Sequence, residues 1–235
     1  MDVARFSNDL GLQANLLENW AIVQNRMGNH ERGAKLGKEA LILYQKAGHI
    51  TGEIGVCDFL GTVERGLGHL DAAEAWYARG RELAEKTKNQ YALAVIAQNV
   101  GVLQQRRASQ ANHPEERDVH MRQALSSTQE SLAIRLKMND QVKAALSYYQ
   151  LGILHQMLGE LDRAEENLQQ SLRIRESLNL RDVLKDYGAL AGLARARGDA
   201  KAAAEWQAKR DAKVAELELR HHTGGDDPEE KNKTP

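Results

Sequence analysis

The sequence predicts an all-α fold made of repeated helix hairpins, and three observations carry that expectation. Apolar residues recur at spacings of three and four, as in Leu151, Leu154 and Leu158 or Leu161, Ala164, Leu168 and Leu172, and no sustained alternation among β-branched residues competes with them. Only 5% of the 235 residues are aromatic and three are proline, while Ala, Leu, Gln, Glu, Lys and Arg abound, a composition that favours helix. Glycine marks a period. Gly28 and Gly68 lie 40 residues apart and Gly159 and Gly198 lie 39 apart, while the 91 residues from Gly68 to Gly159 hold two such units plus about 11 more.

Seven residues before each of these glycines stands a small residue, Ala21, Gly61, Gly152 or Ala191, preceded by Trp20, Leu60, Leu151 or Leu190. The same pair returns as Val100-Gly101, which places a third unit 40 residues after Gly61. Its turn glycine is replaced by the connection from Arg106 to Arg117, in which Pro114 can start a helix but not continue one. The insertion therefore falls between the two helices of unit three and lengthens both. Five units result, at about 12–48, 51–89, 90–139, 140–179 and 181–220.

Within each unit the small residue lets the second helix approach the first, and the glycine turns the chain between them. Gly48, Asn89, Asn139 and Asn179 stand where second helices end and are of the types that accept a left-handed cap, while Thr51 and Asp140 are placed to cap the helices that follow. Trp20, Tyr77, Cys57 and His155 fall on core positions by register. Gly33 and Gly37 interrupt the second helix of unit one at about 1 kcal/mol each relative to Ala, so that helix is either closely packed or the weakest of the set. Phe6, Leu10 and Leu12 extend the first helix or cover its edge. The Lys-, Arg-, Glu- and Ala-rich stretch from about 200 to 220 reads as a polar cap, and the polar tail 221–235, with Gly224, Gly225 and Pro228, is expected to be disordered.

Several function classes are disfavoured. With 32 Lys and Arg against 33 Asp and Glu, the net charge of -1 gives no reason to expect a nucleic-acid or anionic-membrane partner. A lone cysteine, Cys57, supports neither an internal disulfide nor a multi-cysteine zinc site. The first residues lack the apolar run of a secretory signal, and the charge-free stretch Tyr91 to Gln105 is broken by Gln98, Asn99 and Gln104, short of the roughly 20 apolar residues of a membrane span. A cytoplasmic protein is the simplest expectation. No P-loop, HExxH, GxSxG or dinucleotide fingerprint occurs, and Gly66 to Asp71 (GLGHLD) sits between helices as a turn. His221 and His222 would need further ligands from elsewhere to hold a metal. We expect no cofactor, no metal and no enzyme activity.

The pattern resembles the tetratricopeptide repeat in its variety of about 40 residues, as in kinesin light chains, G-protein-modulating scaffolds and bacterial signalling proteins. Tyr148, Leu151, Gly152, His155, Gly159, Ala164 and Leu168 occupy signature positions in unit four, as do Cys57, Leu60, Gly61, Gly68, Ala73 and Tyr77 in unit two. The proline that usually ends a repeat is absent throughout. The resemblance implies a right-handed α-solenoid over residues 1–220, with first helices lining a concave wall that binds an extended peptide or partner segment. Carried over by register, the groove residues are Asn15, Glu18, Asn19, Ile22, Asn25 and Arg26 in unit one, and Asp58, Thr62 and Arg65 in unit two. Unit three contributes Gln98, Asn99, Val102, Gln105 and Arg106, unit four Tyr149, Gln150, Ile153 and Gln156, and unit five Lys185 and Arg195. Tyr148 points elsewhere than its neighbour Tyr149.

An Asn or Gln side chain both donates and accepts, so a row of them suits the backbone of an extended peptide, and Arg26, Arg65 and Arg106 could pair with acidic side chains. The groove does not resemble the clamp for a C-terminal carboxylate, because Glu18, Asn99 and Gln150 occupy positions where that clamp has Lys or Arg. An adaptor or scaffold is the leading expectation, as a monomer or an end-to-end dimer. The alternative is a ligand-switched, peptide-sensing regulator of a bacterial signalling system.

Overall fold

Helix hairpins do organise the chain. A computed structural model describes residues 9–222, and of residues 220–222 the backbone alone. Ten helices occur among the described residues: α1 (Leu10–Arg26), α2 (His30–Ala47), α3 (Ile50–Leu67), α4 (Leu70–Lys86), α5 (Gln90–Gln110), α6 (Pro114–Lys137), α7 (Gln141–Met157), α8 (Leu161–Ser177), α9 (Val183–Ala196) and α10 (Ala200–His222). They pair as five hairpins, with odd-numbered helices first and even-numbered helices second. The turn glycines fall where the period puts them, all at positive φ: Gly28 at 84°, Gly68 at 86°, Gly159 at 77° and Gly198 at 77°. Pro114 opens α6, and the pair around the insertion is the longest, at 21 and 24 residues.

Two caps differ from expectation. The left-handed residue that ends α4 is Lys88, at φ 54°, while Asn139 and Asn179 take that conformation as expected. Asn89 instead caps α5, its Oδ1 accepting from the Ala92 N–H at 3.0 Å. At the start of α3 the cap is His49, whose Nδ1 accepts from the Gly52 N–H at 3.0 Å, and Thr51 already lies inside the helix. Asp140 caps α7 through the Lys143 N–H.

The chain divides into two compact units, residues 1–134 and 135–235. In the first, the small residues of first helices are points of close contact. A Cβ on Gly61 would stand 2.5 Å from the Tyr77 ring, and one on Gly101 would stand 2.6 Å from the Thr128 hydroxyl. Gly33 and Gly37 show that α2 is closely packed rather than weak. A Cβ on Gly33 would come within 3.1 Å of the Ala21 carbonyl, and one on Gly37 within 3.0 Å of Phe59. Two apolar clusters follow, one around Leu41, Tyr44, Val56 and Leu60, the other around Tyr77, Ala84, Ile96 and Leu103. Arg81 of α4 adds a two-bond clasp to Glu130 of α6, at 2.8 Å each. In the second unit, a Cβ on Gly152 would stand 2.6 Å from Leu168, and the core gathers Leu168, Leu172, Leu190 and Leu193.

Trp20 departs from expectation. Register predicts a core position for it, yet it is 38% exposed on α1, whereas Leu60 at the same register of α3 is fully buried. The register itself holds. What differs is that α1 has no helix pair on its outer side among the described residues.

A polar position recurs at the end of the first helices. Gln24, Glu64, Gln104 and His155 are all buried at equivalent places in units one to four. Each is answered by a partner across the turn: Asn29 at 3.1 Å, His69 at 2.9 Å, His120 at 2.8 Å and Glu160 at 2.7 Å. Burial of a polar group is tolerable only when it is paired, so the clasp holds each turn closed in the chemistry that the pair allows.

The Gly61 contact predicts an asymmetry within one helix. Gly61→Ala drives a methyl into the Tyr77 ring and is expected to lower stability by about 1–3 kcal/mol. Gly66→Ala meets nothing within 4 Å and is expected to raise stability by up to about 1 kcal/mol through helix propensity. Urea unfolding followed by circular dichroism measures both.

Candidate functional site

In residues 1–134 the first helices touch in succession, α1 with α3 and α3 with α5, and in residues 135–235 α7 touches α9. At about 100° per residue, α1 divides into sectors. Ala14, Leu17, Ala21 and Gln24 face α2 and the core, and Asn15, Glu18, Asn19, Ile22, Asn25 and Arg26, the expected groove residues, occupy the adjoining sector.

Many of these side chains are already engaged. The Tyr44 hydroxyl donates to Glu18 Oε2 at 2.7 Å, and Asn19 donates to Asn15 at 3.0 Å. Asn25 Oδ1 lies 2.7 Å from His30 Nδ1. On α3 and α5, Asn99 donates to Asp58 at 2.6 Å, joining the two helices across the wall, and Thr62 lies 3.2 Å from the Tyr77 hydroxyl. Arg65 is half-buried, with its Nε enclosed and without a hydrogen-bond partner. Arg26 and Arg106 are exposed, and Ile22, Val102 and Gln105 are half-buried. Gln98 is buried and accepts from Ser131 of α6 at 3.5 Å, so it belongs to the packing between helices and not to the wall.

In residues 135–235, Tyr149 and Ile153 pack against the apolar cluster, and the Arg175 guanidinium stacks 5.2 Å from the Tyr149 ring centre. Gln150 and Gln156 are half-buried, Arg195 is exposed, and Lys185 pairs with Asp182 at 2.8 Å. Arg175 also reaches Asp186 at 2.9 Å, an ion pair that is almost wholly buried.

The feature missed by sequence reasoning is a cleft of about 290 Å³ between the N-terminal halves of α3 and α5, lined by Ile54, Gly55, Asp58, Tyr91, Val95 and Ile96 among others. Tyr91 is 55% exposed beside it. Its sequence signal was the absence of bulk at Gly55 next to the charge of Asp58. Burial pushes the Asp58 carboxyl up from the usual range, opposed by the Asn99 hydrogen bond and by the Arg65 charge. Glu18 is also raised by burial, opposed by its bond from Tyr44. Cys57 is fully buried and its thiol is pushed up to about 11 by burial, which makes it a packing residue with little thiolate character. His155 is buried too, and its bond to Glu160 holds that carboxyl below its usual range, with Arg163 adding to the effect.

Among the described residues, no group of three or more His, Cys, Asp or Glu is arranged to hold a metal ion, and no helix is long and apolar enough to cross a membrane. The proposed tail of residues 221–235 lies outside the described residues apart from the backbone of His221 and His222, as does Phe6.

No protein-family model matches the chain, and no curated protein matches it significantly. Solved structures do. BtubC (BKLC) from P. vanneervenii is 18% identical with a TM-score of 0.75, the match covering 89% of this chain and 82% of that one. A signal transduction ATPase with numerous domains from Pyrococcus horikoshii, which carries a tetratricopeptide repeat sensor, is 20% identical with a TM-score of 0.73, over 89% of this chain and 30% of its own. A Rap protein complexed with competence and sporulation factor is 15% identical with a TM-score of 0.67, over 88% of this chain and 55% of its own. The chain thus spans about a third of the ATPase and about half of the Rap protein. At these identities the likeness establishes the fold: an all-α solenoid of tetratricopeptide-like helix-turn-helix repeats.

Asp58 generates a test of the wall's electrostatics. Asp58→Ala leaves the Asn99 amide without its acceptor and is expected to lose about 1–3 kcal/mol. Asp58→Asn keeps an acceptor and removes the charge. Because the folded-state pKa is raised, the native protein binds the proton more tightly, so the stability linked to this group is full below the unfolded pKa and is lost as pH rises through the folded one. Stability of Asp58→Asn relative to the natural chain is therefore expected to increase between pH 4 and pH 7, measured by urea unfolding at both.

Proposed function

We propose that the protein is a non-catalytic interaction module that binds an extended peptide or partner segment along the first-helix wall, as an adaptor or scaffold. The carrying observation is the wall formed by α1, α3 and α5. Its carboxylate and amide positions are fixed by the Tyr44–Glu18 and Asn99–Asp58 bonds, and the cleft beside Asp58 opens on it. Fixed polar groups around a mainly apolar cleft suit a ligand that presents backbone amides and one inserted side chain. Exposed Arg26 and Arg106 favour acidic residues in that ligand. Gln98 is left out of the binding set because it is buried. Within residues 135–235, Gln150 and Gln156 stand beside Tyr149 and Ile153, which form a half-buried apolar floor of their own.

A second reading, a ligand-switched regulator, has support from the Rap protein complexed with competence and sporulation factor and from the sensor repeats of the ATPase. It also has a local basis. The Asn99–Asp58 bond joins successive first helices, so a ligand that took either partner would change how α3 and α5 sit together.

A displayed library of 12-residue peptides tests the proposal. The natural chain is expected to select sequences enriched in Asp and Glu, and Asn19→Ala, Arg26→Ala, Arg106→Ala in one variant is expected to weaken the selected peptides at least tenfold, read by fluorescence polarisation. All three positions are exposed, so the fold is retained. Equal affinity for both proteins would remove the wall from the account.

A further inference from the structure

The outer side of α1 carries a continuous apolar stripe. Leu12, Leu16, Trp20, Val23 and Met27 are 48%, 44%, 38%, 41% and 68% exposed. At about 100° per residue they fall within an arc of about 80°, on a third side of the helix between the face that meets the core and the polar wall sector. Forty residues on, the same register of α3 holds Gly52, Val56, Leu60, Val63 and Leu67. There Val56, Leu60 and Val63 are at most 1% exposed, covered by α2 through Ala40, Leu41 and Tyr44. The stripe is therefore a stacking face of the same kind as those that hold the fold together.

We propose that a second copy of this chain covers it, packing its own α1 antiparallel to the first about a two-fold axis near Trp20. The stripe is close to symmetric about that residue. An antiparallel partner sets Leu16 against Val23 and Leu12 against Met27, with the two Trp20 rings at the centre. Between residues 10 and 26, Glu18 and Arg26 are the only charged side chains, and in this register Arg26 falls opposite Gln13 of the second copy, so like charges do not meet. The five exposed side chains offer on the order of 500 Å² per copy, and about 1,000 Å² over two copies is the low end of what specific association needs. A two-fold contact closes on itself. Stacking the stripe on α10 of another copy is disfavoured, because that helix exposes Lys209, Arg210 and Asp211. The dimer is accordingly weak, with a Kd on the order of 1–100 µM.

Sedimentation and light scattering of the chain from about 1 to 500 µM test this, since that range brackets the expected Kd. The natural chain is expected to pass from monomer to dimer. Leu16→Glu, Trp20→Glu in one variant is expected to stay monomeric throughout with unchanged circular dichroism, while Ile42→Glu, at a 50% exposed apolar site on α2, dimerises as the natural chain does. Under mild oxidation Trp20→Cys is expected to crosslink to itself, and Leu12→Cys only to added Met27→Cys. A natural chain that stays monomeric, a dimer that survives the double variant, or a crosslink pattern without that symmetry overturns the proposal. So does dimerisation that appears only after residues 1–8 are deleted, which would show that the chain's own leading segment covers the stripe.

Discussion

A helix pair of this fold has two apolar faces, one turned to its own partner helix and one available to a neighbouring pair. The first is satisfied inside the hairpin by close approach at Gly61, Gly101 and Gly152, where a methyl group would already overlap the facing side chain. The second cannot be satisfied by the hairpin alone, which is why repeats of this kind are stable only in company. Val56, Leu60 and Val63 are buried because α2 precedes α3, and Ile96 and Leu103 because α4 precedes α5. Each residue of the stacking face contributes of order 1.5–3 kcal/mol once fully covered, so a unit without its predecessor forgoes several such contributions.

That constraint explains what was legible in the sequence. Close approach and turning both demand small residues at fixed places, so glycine and alanine recorded the period, and the five hairpins and their turns followed from it. The insertion in unit three was legible for the same reason. A repeat that touches only its neighbours can lengthen at its open end without disturbing the stack, and Pro114 marked where the second helix had to start. Register says which face a residue occupies but not whether anything lies against that face, and this is why Trp20 was misplaced while Leu60 was not.

Caps and polar positions were harder to read, because several residue types meet the same local demand. A left-handed cap is easiest for Gly and Asn, yet at Lys88 the tertiary hairpin imposes it on a side chain that can remain in solvent, which frees Asn89 to cap the next helix. His49 serves as a cap because its ring nitrogen can accept, a role that composition alone assigns to Thr51. The clasp across the turns was hidden for a different reason. Its chemistry changes from Gln–Asn to Glu–His to Gln–His to His–Glu, so no residue pair repeats even though the position and the pairing do.

The same pairing logic separates wall residues that hold the fold from those free to meet a ligand. Glu18, Asp58 and Asn99 are committed to bonds between helices, and the desolvation that raises Glu18 and Asp58 makes loss of those bonds costly. Gln98 has gone further and left the surface altogether. Arg26 and Arg106 remain in solvent and owe nothing to packing. A ligand that contacted the committed groups would have to replace interactions the protein already makes, gaining little net affinity but altering how α3 meets α5. One that contacted the exposed arginines would gain affinity without strain. Adaptor and switch are thus distinguished on a single wall by which residues the ligand engages, and the Asn99–Asp58 bond is the point at which one behaviour would pass into the other.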